Sequence, residues 1–242
     1  MNKDIKPYKK SFDYSYCLGA FPTYELLKYA PNRARCVAVH SSYTDREKLE
    51  KLAKAANVPV FSDDKLVNRL SDKENVYVIG VFEKYEDRLE KGKNHIMLVN
   101  PGNMGNVGTI IRTAAAFDIN DMAIISPGVD VFNPKVVRGS MGALFHTRIQ
   151  YFDTYEDYEK AYVSPEPERG CYSFMLAAGN INTIGEVGKR KLFTVIFGNE
   201  ATGLPDEYAR YATPVIIPQS ENVDSLNLTI AAGIGMYEFS KQ

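Results

Sequence analysis

The chain has 242 residues, 45% apolar and 24% charged, the balance of an ordinary soluble globular protein with ample material for a core. Its formal net charge of −1 selects no partner class. No apolar run reaches the roughly 20 residues that a bilayer span needs. The opening MNKDIKPYKKSF lacks the apolar centre of a secretory signal. Cys17, Cys36 and Cys171 are too far apart and too few for a disulfide framework or a paired-cysteine metal site. His40, His95 and His146 show no ligand spacing, so a cytoplasmic, membrane-free protein without a metal is expected.

Charge is unevenly spread. Residues 1–94 carry 18 Lys and Arg against 14 Asp and Glu, net +4, whereas 95–242 carry 11 against 16, net −5. A positive front half suits a polyanion, and chance on a solvated surface gives the same tally.

Residues 1–20 read as an irregular lead-in, followed by a helix over Pro22–Tyr29. CVAVH (36–40) alternates like a strand. A helix follows, with Thr44 or Asp45 as cap and Leu49, Leu52, Ala53 and Ala56 on one face. VPVF (58–61) is a strand, DDKLVNRLS a helix with Leu66, Val67 and Leu70 inward, and NVYVIGVFE (75–83) a strand. This alternation predicts a small α/β domain, residues 1–88, closed by a charged linker at 83–94. A second domain over 94–242 opens with the strand HIMLV (95–99), the loop NPGNMGN and a helix from about Val107 to Phe117. MAIIS is a strand, Pro134 suits a first helical turn, RIQYF is a strand, and DTYEDYEKAY reads as a surface helix. SPEPERG (164–170) reads as an exposed loop; CYSFMLAA, LFTVIFG and PVIIP are strands, and SLNLTIAAGIGMYEF is the last helix, with Asp224 or Ser225 as its N-cap. Strands joined by crossover helices predict a mostly parallel sheet with its site at the strand carboxyl ends.

Chemistry concentrates in three loops. Glycines 102, 105 and 108 lie between a strand and a helix, where backbone can approach a ligand, but their spacing is neither a dinucleotide fingerprint nor a P-loop. Asn106 stands near the start of that helix. Arg112 follows among Ile110, Ile111 and three alanines, either as a solvent-facing charge or as a guanidinium awaiting an anionic partner. Glu200 follows a buried-type strand, where it is a plain loop charge or a carboxylate placed to hold an Arg or a ligand amine. Ser225 and Asn227 open the final helix, and Ser140 beside Arg138 fits a small packing residue.

Taken together, NPGNMGNVGTIIRTAAAF, FTVIFGNEATGLP and IPQSENVDSLNLTIAAGI resemble the three ordered motifs of the SpoU-type RNA ribose 2′-O-methyltransferases of the SPOUT superfamily. NPKVVRGSMGALFH is similar to that family's intervening segment, and the likeness covers essentially 95–240. The front half resembles, more loosely, the ribosomal-protein-like substrate-binding domain often attached to the family, although VYVIGVF departs from its usual His-Gln-Gly pattern.

The resemblance implies an α/β fold whose carboxyl-terminal part, about 193–240, threads a trefoil knot, an exception to the rule of unthreaded connections. It implies S-adenosylmethionine as cofactor, held by Gly198, Ile217, Leu226 and Ala178, and a homodimer. Asn106, Arg112, Glu200, Ser225 and Asn227 carry over as motif residues. Arg112 would orient the ribose or phosphate and stabilise a developing oxyanion rather than act as a base, with Glu200 and Asn106 fixing it. The substrate would be RNA, ribosomal rather than transfer, gripped by Lys9, Lys10, Arg33 and Arg35 of the front half together with Arg138 and Ser140. The rival expectations are a catalytically silent RNA-binding protein that keeps the knot as scaffold and, less in keeping with the glycine spacing, a nucleotide-binding α/β enzyme.

Overall fold

The computed structural model describes residues 5–71, 75–175 and 182–241. The chain divides into two compact units, one formed by residues 1–85 with 130–146 and the other by 86–129 with 147–242.

The first unit contains β1 (Tyr14–Leu18), α1 (Ala20–Tyr29), β2 (Ala34–Val39), α2 (Arg46–Ala55), β3 (Val60–Ser62), α3 (Asp64–Leu70) and β4 (Val78–Glu83). Its sheet runs β1-β4-β2-β3, with β4 antiparallel to both neighbours and β2 parallel to β3. Both faces are covered. Leu66, Val67 and Leu70 of α3 pack with Ala38 and Ile79 on one side, and Leu49 and Ala53 of α2 pack with Val37 and Val39 on the other. The expected lead-in therefore includes a strand: YSYCL pairs with β4 because Tyr16 and Cys17 are buried against the sheet. Asp45 does sit at the start of α2, but its side chain makes no capping bond.

Segment 130–146, expected with the second domain, belongs to this unit. Ser15 Oγ donates to the Phe132 carbonyl, Phe132 and Phe145 meet the Phe82 ring edge-on, and His146 Nε2 lies 3.0 Å from a Glu25 carboxylate oxygen. Within it, α5 (Pro134–Gly139) starts with proline in its first turn and is capped by Asn133.

The second unit holds β5 (His95–Val99), α4 (Met104–Ala116), β6 (Asp121–Ile125), β7 (Arg148–Phe152), α6 (Tyr155–Tyr158), β8 (Gly170–Phe174), β9 (Asn182–Thr183), β10 (Phe193–Phe197), α7 (Tyr208–Tyr211), β11 (Thr213–Ile216) and α8 (Leu228–Ser240). Its seven strands are ordered β7-β6-β5-β10-β8-β11-β9, and every pairing is parallel. β5, β6 and β10 are buried at every residue, which is why their sequences read as continuous apolar runs.

Several expectations are corrected here. α4 begins three residues early, because Asn103 accepts from the Gly105 and Asn106 amides and caps it. α8 is capped by Asn227, whose side chain accepts from the Thr229 amide, rather than by Asp224 or Ser225. The segment read as a surface helix is a core element: Tyr155, Tyr158 and Tyr162 are buried against Phe152 and Met97. In the loop at 164–170, Arg169 is only 4% exposed; it pairs with Glu166 and donates to the Tyr162, Phe193 and Lys93 carbonyls. The charged linker is also ordered in part, since the Leu89 and Glu90 amides donate to Gln150 and Asp121.

Candidate active site

The parallel sheet sets where a ligand can bind. From β5 the chain winds outward to β6 and β7, then returns to lay β8 and β10 on the other side of β5. The carboxyl ends of β5 and β10 therefore form a switch point, the place where open α/β sheets leave a crevice. The loops after these two strands meet there through side chains of the second. Glu200 accepts from the Gly102 amide (3.1 Å) with one oxygen, and from the Asn103 amide and Asn106 Nδ2 (both 3.2 Å) with the other. Asn199 Nδ2 donates to the Asn100 carbonyl at 2.7 Å, while its Oδ1 accepts from the Ala201 and Thr202 amides. One carboxylate and one amide thus hold two backbone loops in register.

Beside this clamp lies a cavity of about 350 Å³. Its lining includes Gly198, Glu200, Ile217, Ser225 and Leu226, brought together from the loop after β10 and the loop between β11 and α8. Phe174, Met175 and Phe197 supply apolar wall, and the loop residues 198–204 supply much of the rest. Gly198 is required by contact: a Cβ there would stand 2.2 Å from the Gly203 carbonyl carbon, so the loop closes onto itself only without a side chain. An apolar-walled cleft with polar groups from loop backbone fits a cofactor that joins flat aromatic and charged parts. Of the residues expected to hold one, Gly198, Ile217 and Leu226 line this cavity, and Ala178 lies outside the described residues.

The other motif residues stand apart from it. Asn227 is exposed and occupied in capping α8. Arg112 is exposed on α4, and among the described residues its guanidinium has no hydrogen-bond or ion-pair partner. The expectation that Glu200 and Asn106 fix Arg112 is not met; Asn106 is bound to Glu200, and Glu200 spends its acceptors on the β5 loop. Asn199, Thr202 and Gln219 belong to the clamp and the lining and escaped the sequence reading. Their signal was position, since each stands in one of the polar loops that end β10 and β11.

In the first unit, Lys9 and Lys10 are exposed, and Arg33 lies 4.5 Å from the Tyr85 ring centroid. Arg35 is committed to Asp13 (2.7 Å) and Glu83 (3.2 Å), which leaves it poorly placed to neutralise phosphate. Ser140 is fully buried and donates to the Val137 carbonyl, so it is a packing residue rather than a surface contact. Among the described residues, no group of three His, Cys, Asp or Glu is placed to hold a metal ion, and no helix is long and apolar enough to cross a membrane.

A parallel α/β sheet with a loop-built cleft at its switch point defines a ligand-binding protein of the open-sheet class. The SpoU rRNA methylase family model matches residues 93–237, and the chain belongs to that family. A Synechocystis protein described as an uncharacterised tRNA/rRNA methyltransferase is 32% identical over 139 residues, 57% of this chain and 49% of that protein. The 23S rRNA (guanosine(2553)-2′-O)-methyltransferase of Bacillus subtilis is 26% identical over 155 residues, 63% of this chain and 60% of that protein. The chain thus matches about half to three-fifths of these two relatives. The AdoMet-bound rRNA methyltransferase of Sinorhizobium meliloti superposes with a TM-score of 0.78 at 25% identity, covering 94% of this chain and 87% of that one. The SpoU methyltransferase AviRb of Streptomyces viridochromogenes, also with AdoMet, gives 0.82 at 19% identity over 95% and 90%, a likeness of fold.

Proposed function

We propose that the protein is an S-adenosylmethionine-dependent methyltransferase acting on a ribose 2′-hydroxyl of structured RNA. The observation that carries this reading is the two-loop cleft, in which Gly198, Ile217, Leu226, Ser225 and Glu200 converge beside a clamped β5 loop. Family membership and the AdoMet-bound state of the Sinorhizobium meliloti neighbour supply the chemical class.

When bound, S-adenosylmethionine supplies an electrophilic methyl on a sulfonium sulfur. Gly198, Ile217 and Leu226 would hold it. Glu200 keeps the β5 loop and the start of α4 in place through three N–H donors. Arg112, with five N–H donors and no partner among the described residues, is free to grip ribose or phosphate and to steady negative charge on the 2′-oxygen. Ribosomal RNA is the favoured substrate, supported by the front unit and by the ribosomal substrates named for several relatives. A transfer-RNA substrate is named for others.

The same reading includes a trefoil knot over about 193–240. It is supported by β11 lying between β8 and β9 and by α8 pressed onto Phe174 and Phe197 at Gly235. It also includes a homodimer through the second unit. Ile230, Ile234 and Tyr237 form a stripe along α8 that is 53%, 37% and 52% exposed, apolar surface of the kind an interface covers. Replacing Ile234 with Glu is expected to convert the dimer to monomer by sedimentation velocity; an unchanged sedimentation coefficient removes this interface.

Arg112→Ala tests the catalytic role. Methyl transfer to RNA is expected to fall at least about 100-fold, a loss typical of a removed oxyanion donor, while calorimetry shows S-adenosylmethionine binding unchanged. Near-normal turnover in this variant would overturn the assignment.

A further inference from the structure

A second cavity, of about 450 Å³, lies wholly within the first unit. Pro7, Tyr8 and Leu18 give it an apolar side; Arg69, Lys135 and Arg138 give it a cationic one. No carboxylate lines it among the described residues. The cations have capacity to spare. The Arg138 guanidinium and the Lys135 ammonium have no partner among the described residues, and Arg69 spends one nitrogen, Nη2, on the Ile5 carbonyl. The aromatic side is rigid. The Tyr8 hydroxyl donates to Asp130, its amide donates to the Tyr16 hydroxyl, and the two rings meet edge to face at 6.4 Å.

Three cations and a held tyrosine ring lining one cleft of small-molecule size match one ligand chemistry, a planar base joined to a phosphate. We propose that this cavity takes one unpaired nucleotide of the RNA strand, with its base against Tyr8 and its phosphate shared by Arg69, Lys135 and Arg138. The inference rests on the RNA-modifying reading above and adds an anchor away from the methyl-transfer cleft. It also moves the expected RNA grip away from Arg35, which is already neutralised, to a cluster in which Arg69 is joined by Lys135 and Arg138 of segment 130–146.

Two measurements test it. RNA carrying 4-thiouridine, crosslinked to the wild-type protein and mapped by mass spectrometry, is expected to give adducts on peptides spanning 7–18 or 133–138. The double variant Lys135→Gln/Arg138→Gln, shown to be folded by its thermal melt, is expected to bind single-stranded RNA more weakly. Its salt slope should be smaller by up to about 0.7, the value for one lost single-strand phosphate contact. Adducts confined to other peptides, with an unchanged slope, would overturn the proposal while leaving methyl transfer by the wild type as a separate result. Saturable binding of free mononucleotide with no effect of the variant on RNA binding would likewise reject an RNA anchor.

Discussion

At the scale of single residues, the proposed reaction asks opposite things of Glu200 and Arg112. Glu200 has three N–H donors on two oxygens, two of them from the β5 loop backbone. Glu200→Gln presents a carboxamide NH2 where a backbone or Asn106 N–H now points, so at least one of these bonds becomes a repulsion. Steady-state assays are expected to show a drop in turnover of roughly 5- to 150-fold, from about 1–3 kcal/mol of lost hydrogen bonding. Wild-type rates would show that the clamp is dispensable. Arg112 is the converse case, a guanidinium with its donors uncommitted among the described residues.

A third residue sets acid stability. His95 is fully buried, with one ring nitrogen 2.8 Å from the Tyr158 hydroxyl and the other 3.0 Å from the Glu90 carbonyl. Burial, helped by the nearby Arg169 charge, lowers its pKa to about 4. The folded protein therefore binds fewer protons than the unfolded chain between pH 4 and about 6.5, the ordinary histidine value. This contribution is fully present above pH 6.5 and declines as pH falls, by up to about 1.4 kcal/mol per pH unit. Urea unfolding at pH 7 and pH 5 is expected to show that loss, and His95→Gln to remove the part due to this ring. Equal pH slopes in the two proteins would reject the assignment.

At the scale of elements, α8 is the test of packing. Its small residues let it lie close on the sheet: a Cβ on Gly235 would come within 2.8 Å of Phe197 and 2.9 Å of Phe174. Both rings also line the cleft, so crowding at Gly235 reaches the cofactor wall. Gly235→Ala is expected to cost about 1–3 kcal/mol by overpacking and to weaken S-adenosylmethionine binding, read by thermal melts with and without cofactor. An unchanged melting temperature would mean that the rings yield freely.

The same scale shows what the residues made legible. The buried strands β5, β6 and β10 read clearly because both faces are covered and apolar side chains fill every position but a few. Helix starts read less well, because the caps are loop residues. Asn103 and Asn227 do locally what Val107 and Ser225 were expected to mark. Arg169 and the tyrosines of 155–162 misled for a different reason. Their polar atoms are satisfied by distant backbone and side chains, and no local pattern reports such partners. The cleft was legible as three motifs; the bond from Asn199 to the Asn100 carbonyl, which spans the switch point, was not.

For the whole molecule, each unit presents its own arrangement of charge. The second closes a polar clamp beside an apolar cleft; the first gathers open cations around an aromatic wall.

The chemical fate of the methyl group tests this account most directly. Purified protein, unmodified ribosomal RNA and S-adenosylmethionine carrying a labelled methyl would be combined, and the RNA then hydrolysed in alkali. A 2′-O-methyl group removes the hydroxyl that alkali needs for cleavage. The label is therefore expected in an alkali-resistant dinucleotide with the wild type and to be nearly absent with Arg112→Ala. Label recovered in mononucleotides, or equal in the two proteins, would contradict the account.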